Sequence, residues 1–123
     1  MKSELHGIGR ITSAARNSLR GIGDAWQHEA AFRQDIIMAI ILLVLSVGLA
    51  RSVVEWLLLI LPLFLLVIVE LLNSAVENTV DRIGAERHTL SGRAKDMGSA
   101  AVLFCHLMIA TSWLSLAWSR FYG

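Results

Sequence analysis

Three long apolar runs separated by short charged stretches dominate the chain, and they predict helices. Residues 36–50 (IIMAIILLVLSVGLA) carry no charge between Asp35 and Arg51, and residues 56–69 (WLLLILPLFLLVIV) carry none between Glu55 and Glu70. Residues 97–119 are uncharged apart from the titratable His106 and lie between Asp96 and Arg120. A helix needs about 20 apolar residues to cross a bilayer. The third run is long enough unaided, and the first two reach spanning length when their polar flanks stay helical. The expected spanning helices are 30–50, 53–82 and 92–119. Ahead of them Leu5, Ile8, Ala15, Leu19, Ile22 and Trp26 recur at roughly three- and four-residue spacing. Arg10, Ser13, Asn17, Arg20 and Asp24 fall largely elsewhere on the wheel. This predicts an amphipathic helix over 5–27, lying in the membrane interface. Gly7, Gly9, Gly21 and Gly23 weaken it and mark where it would divide. Pro62 removes a backbone donor and predicts a kink in the second span.

Composition turns these helices into a class. Hydrophobic residues make up 55% of 123 positions, and mean hydropathy is +0.61. A soluble domain of this size could not cover so much apolar surface. The reading is an all-α membrane protein, one domain over 1–123. The N-terminus lacks an apolar h-region, so no cleavable signal peptide is expected. A single cysteine, Cys105, excludes an intrachain disulfide and reads as a small packing residue.

Charge orients the chain. Lys2, Arg10, Arg16, Arg20 and Arg33 precede the first span, whereas only Arg51 lies between the first two. Arg82, Arg87, Arg93 and Lys95 lie between the second and third, and only Arg120 follows. Basic residues mark the cytoplasmic side. The N-terminus and the 82–96 loop are expected in the cytoplasm, with the 51–55 turn and the C-terminus outside. Trp56, Trp118, Phe121 and Tyr122 suit an outer aromatic belt.

One stretch breaks the apolar pattern. In VIVELLNSAVENTVDRIG (67–84), Glu70, Asn73, Glu77 and Asp81 follow one another at intervals of three, four and four. These are same-face spacings on a helix. Ser74 lies beside the stripe, which at ~1.5 Å per residue extends roughly 16 Å. Asp81 with Arg82 also reads as an ion pair at a solvated helix end. Glu70, flanked by LLVIV and LL, does not, and an ionisable group in a span is a functional hypothesis. Carboxylates near basic residues suit Mg²⁺, which takes one or two carboxylates together with substrate phosphates and water. The stretch SGRAKDMGSAA (91–101) adds Arg93, Lys95 and Asp96, then small residues that let a helix or a phosphate come close. No P-loop is present, and the GxG pairs at 7–9 and 21–23 lack the third glycine. His106 reads as a packed polar residue. No nucleic-acid partner is expected.

EAAFRQ (29–34), VELLNSAVENTVDRIG (69–84) and SGRAKDMGSAAV (91–102) closely resemble the small integral-membrane diacylglycerol kinases of bacteria. Their order and spacing match over nearly the whole chain. The resemblance implies a homotrimeric bundle in the inner membrane, each chain with one surface helix and three spanning helices. It implies transfer of the γ-phosphate of MgATP to the primary hydroxyl of diacylglycerol, giving phosphatidic acid. By motif position, Glu70 is the general base and Asn73 orients groups in the row, while Glu29 and Glu77 hold Mg²⁺. The ATP contacts implied are Arg10, Asn17, Glu29, Glu77, Glu86, Arg87, His88, Lys95 and Asp96. Asn17 departs from the pattern, which has an aromatic residue there. The lipid contacts implied are Arg10, Ser18, Trp26, Arg33, Trp56, Glu70, Ser99 and Trp113.

Three other functions compete. A kinase of another lipid alcohol, such as undecaprenol, would share the fold, because an acyl groove is generic and apolar. A small proton or cation conductor would need polar residues through the outer half, and 56–69 offers none. A non-catalytic structural subunit leaves Glu29, Glu70 and Glu77 unexplained.

Overall fold

The computed structural model describes residues 6–84 and 88–123. Within them the chain forms four helices: α1 (Ile8–His28), α2 (Ala30–Leu49), α3 (Val53–Ile83) and α4 (Thr89–Tyr122). The last three are each long and apolar enough to cross a membrane. The protein is an all-α membrane protein. Leu5, the expected start of the first helix, lies outside the described residues.

The helix α1 begins after Gly7, whose φ of 59° favours glycine. It then runs unbroken through Gly9, Gly21 and Gly23, so the expected division does not occur. An interior glycine costs roughly 0.5–1 kcal/mol relative to alanine, but it keeps its N–H, and the hydrogen-bond ladder continues. Ala25 is the one buried residue of α1. Its apolar stripe of Ile8, Ile11, Leu19, Ile22 and Trp26 remains exposed.

A single extended residue, Glu29, separates α1 from α2 (φ −118°, ψ 105°). Arg33 braces this corner. Its Nη1 donates to the carbonyl oxygens of Trp26 (2.7 Å) and Gln27 (3.3 Å). The last carbonyls of a helix have no partner within it, and a cation at that end also meets the negative pole of the helix dipole. Arg33→Ala is expected to loosen α1 by about 1 kcal/mol. Faster amide exchange confined to the end of α1 would show it, and unchanged exchange there would refute the bracing.

The turn between α2 and α3 is closed by side chains. Ser52 caps α3 by accepting the Glu55 N–H at 3.1 Å, and Glu55 Oε1 accepts the Arg51 N–H at 3.1 Å. One turn on, Trp56 Nε1 donates to Ser46 Oγ (3.1 Å), and Ser46 Oγ donates to the Leu43 carbonyl (2.6 Å). These bonds satisfy a hydroxyl that is fully buried.

The helix α3 is central. It packs most extensively on α4 and next on α2. Leu63 and Leu66 join Ala39 of α2 and Cys105 and Ile109 of α4 in the core. Cys105 is buried, as a packing residue should be. Pro62 lies within α3 and is itself buried. It cannot donate to the carbonyl four residues earlier, at Leu58. The neighbouring carbonyl, Leu59, accepts a hydrogen bond from Trp113 Nε1 at 3.1 Å, which ties α4 to the turn before Pro62. Large apolar side chains such as Phe64, Ile68, Leu72, Leu103 and Phe104 face outward. In water that surface would be untenable; against hydrocarbon or other helices it is not.

Candidate active site

The polar stripe occupies the C-terminal half of α3 and descends in exposure along it. Asp81 is exposed, Glu77 and Asn73 are half-buried, and Glu70 is 4% exposed. The period of the helix brings all four to one side, and α2 and α4 close over the deep end. A recess of about 240 Å³ there is lined by Glu29, Glu70, Asn73, Glu77 and Ser99, with Ser74. Residues far apart in the sequence thus meet: Glu29 from the α1–α2 corner, Ser99 from α4, the rest from α3. A larger recess of about 840 Å³ lies between α1 and α3. Ser18, Ile22 and Leu71 help to line it, and it shares Glu29 and Ser74 with the first.

Asn73 is held at the centre. Its Nδ2 donates to Glu77 Oε1 at 3.3 Å. Its Oδ1 is buried without a partner among the described residues. The close approach of α4 at this point depends on Gly98, because a Cβ there would overlap Asn73 Oδ1. The sequence marked Gly98 only as one small residue among several.

Asp81 does not pair with Arg82, as its sequence neighbour suggested. It pairs with Lys95 of α4, at 2.7 Å. Adjacent residues on a helix point about 100° apart and do not face one another, whereas α4 runs alongside. The pair stands at the exposed end of the stripe, and Asp96 is exposed beside it. His88 Nδ1 accepts the Leu90 N–H at 3.1 Å and caps α4. Glu86 and Arg87 lie outside the described residues.

Other expected contacts are more dispersed. Ser18 lines the larger recess and donates its hydroxyl to the Ala14 carbonyl. Arg10 and Asn17 are exposed on α1 and line neither recess. Trp26 is 43% exposed on α1, next to the braced corner. Trp56 and Trp113 lie at the opposite end of the bundle, with their ring N–H groups engaged by Ser46 and Leu59.

One group was missed by sequence reasoning. His106 Nε2 lies 3.1 Å from Asp35 Oδ1, and its Nδ1 lies 3.1 Å from the Val102 carbonyl oxygen. The Asp35 carboxyl in turn adjoins that of Glu70. The available signal was that His106 is the one side chain in the run 97–119 able to carry a positive charge, and such a group needs a partner.

Chemically, the site offers a secluded carboxylate at its deep end, an amide in the middle and two carboxylates nearer the opening. Among the described residues no group of three or more His, Cys, Asp or Glu side chains has the geometry to hold a metal by itself.

Comparison with known proteins identifies the family. Residues 16–117 match the family described as prokaryotic diacylglycerol kinase. The chain is 46% identical over 121 residues to a diacylglycerol kinase of Escherichia coli K12, covering 98% of this chain and 99% of the relative. It is 43% identical over 107 residues to one of Haemophilus influenzae, covering 87% and 91%. It is 45% identical over 115 residues to one of Helicobacter pylori 26695, covering 94% and 86%. The match spans all four helices and every residue that lines the smaller recess, and the chain belongs to the prokaryotic diacylglycerol kinase family.

Proposed function

We propose that the chain transfers the γ-phosphate of MgATP to the primary hydroxyl of diacylglycerol, giving phosphatidic acid. The observation that carries this is the recess where buried Glu70 meets Glu29, Asn73, Glu77 and Ser99. Glu70, the deepest carboxylate, is suited to take the proton of a hydroxyl that arrives among acyl chains. The hydroxyl oxygen bonds to the γ-phosphorus as the bond to the ADP oxygen breaks. Asn73, fixed by Glu77 and Gly98, orients the reacting groups. Lys95 and Asp96, with His88, Glu86 and Arg87 earlier in the sequence, meet the nucleotide; Arg10 and Asn17 approach it from α1. Ser18, Trp26, Arg33 and Ser99 border the lipid headgroup, with Trp56 and Trp113 farther along the acyl path.

Glu29 and Glu77 fit Mg²⁺. Two carboxylates at a partly open recess are what this ion takes when phosphate oxygens and water complete its shell. When bound, it would neutralise the charge on the phosphates.

The same reading places the chain in the inner membrane of a bacterium, with its N-terminus cytoplasmic and its C-terminus periplasmic. It also makes the protein a homotrimer, whose neighbours cover part of the exposed apolar surface. A conductor is disfavoured, because Leu66 and Leu63 follow Glu70 on the same face of α3 and are buried. The acyl path is generic, so undecaprenol is the competing acceptor.

The test is a phosphorylation assay on the purified chain in mixed micelles with labelled MgATP. Label in phosphatidic acid is expected when diacylglycerol is offered. Label in undecaprenyl phosphate alone would keep the mechanism and change the substrate. No label in either lipid, from folded protein, would end the kinase reading.

A further inference from the structure

We infer that His106 is a positioning residue for phosphoryl transfer, acting on Glu70 through Asp35. The inference rests on Glu70 being the base. Each of the three spanning helices supplies one member: Asp35 from α2, Glu70 from α3 and His106 from α4. The Asp35 side chain is 16% exposed and Glu70 is 4% exposed, so water screens neither fully.

The chemistry of the ring defines the arrangement. A carbonyl oxygen can only accept, so His106 Nδ1, which faces the Val102 carbonyl, carries a proton. Nε2 is then the atom that faces Asp35 Oδ1, at 3.1 Å. The imidazole is thereby locked at both nitrogens, and it fixes one oxygen of Asp35. That carboxyl adjoins Glu70. The remaining charged groups around Glu70 are Glu77 on its own helix and Glu29 across the recess. Asp81 and Lys95 pair farther out.

This arrangement gives the reaction a proton path. The acceptor O–H bond breaks, and its proton passes to a Glu70 carboxylate oxygen. The acceptor oxygen bonds to the γ-phosphorus as ADP departs. The new Glu70 O–H then donates to the Asp35 carboxylate, which His106 holds in place. The proton leaves through the recess to water as product dissociates. Without the His106 bond, Asp35 loses its fixed orientation and Glu70 loses the partner that aims it.

The test uses the full chain in mixed micelles with saturating lipid and titrated MgATP. His106→Leu is expected to lower kcat by about 10- to 100-fold, the cost of a misaimed catalytic group, with both KM values within about twofold. His106→Gln, whose amide N–H can reach Asp35, is expected to recover most of the loss. A His106→Leu variant with wild-type kcat, alongside a Glu70→Gln variant that is silent, would overturn the inference and leave the kinase reading intact. A His106→Gln variant as impaired as the leucine variant would also overturn it, since packing rather than hydrogen bonding would then be at stake. Silence of the wild type, or activity of Glu70→Gln, would instead defeat the underlying reading. A second readout needs no change at position 106. In ¹⁵N-histidine spectra of the folded protein, Glu70→Gln is expected to shift the His106 Nε2 resonance, and an unmoved resonance would overturn the coupling.

Discussion

Glu70→Gln is expected to reduce turnover by about 10²- to 10⁴-fold, the range that a positioned general base contributes, while the KM for MgATP stays nearly unchanged. The substitution is nearly isosteric. Glutamine fills the same volume on α3, and its amide can donate to the adjoining Asp35 carboxylate, so the packing around a 4%-exposed side chain is conserved. What it removes is the capacity to accept a proton from the incoming hydroxyl. A fall in kcat with constant KM marks an interaction made only in the transition state. Single-turnover kinetics on folded variant protein would measure it. A variant with more than a tenth of the wild-type rate would transfer the role of base to another group.

Gly98→Ala is expected to cost on the order of 10²-fold in kcat/KM, although position 98 bears no reactive group. The added methyl would overlap Asn73 Oδ1. Either α4 withdraws from α3 or Asn73 leaves its bond to Glu77. Both widen the recess, and a displacement of ~1 Å at such a site is enough for a loss of this size. Two features separate this from general destabilisation. The melting behaviour of the variant should change little, because α3 and α4 remain in contact along the rest of their length. Combining Gly98→Ala with Asn73→Ala should also be clearly less harmful than the two losses added, because the methyl then has no side chain to collide with. Additive losses would show that Gly98 acts elsewhere.

Much of this molecule could be read from spacing alone. The apolar runs gave the helices because a bilayer demands length and uniform apolarity, and the three-and-four rhythm from Glu70 to Asp81 put the acidic stripe on one side of α3. Spacing fails where a contact joins different helices. Nothing local pairs Asp35 with His106, 71 positions away, and Asp81 suggested Arg82 as its partner rather than the Lys95 it meets. Nor does spacing show that the Trp113 N–H bonds the Leu59 carbonyl, three residues before Pro62. The reverse error occurred in α1, where local propensity predicted breaks at glycines that the intact ladder spans. The reaction itself was legible only through the motifs shared with a family.

The corner at Glu29 has a consequence for the surrounding lipid. One non-helical residue connects a helix with an exposed apolar stripe to a helix that crosses the membrane. That residue is also a wall of both recesses. With so short a joint there is no slack between the surface helix and the first spanning helix, and Glu29 is held where the two meet. A shift of the surface helix among the headgroups therefore reaches the wall of the recess through a single residue.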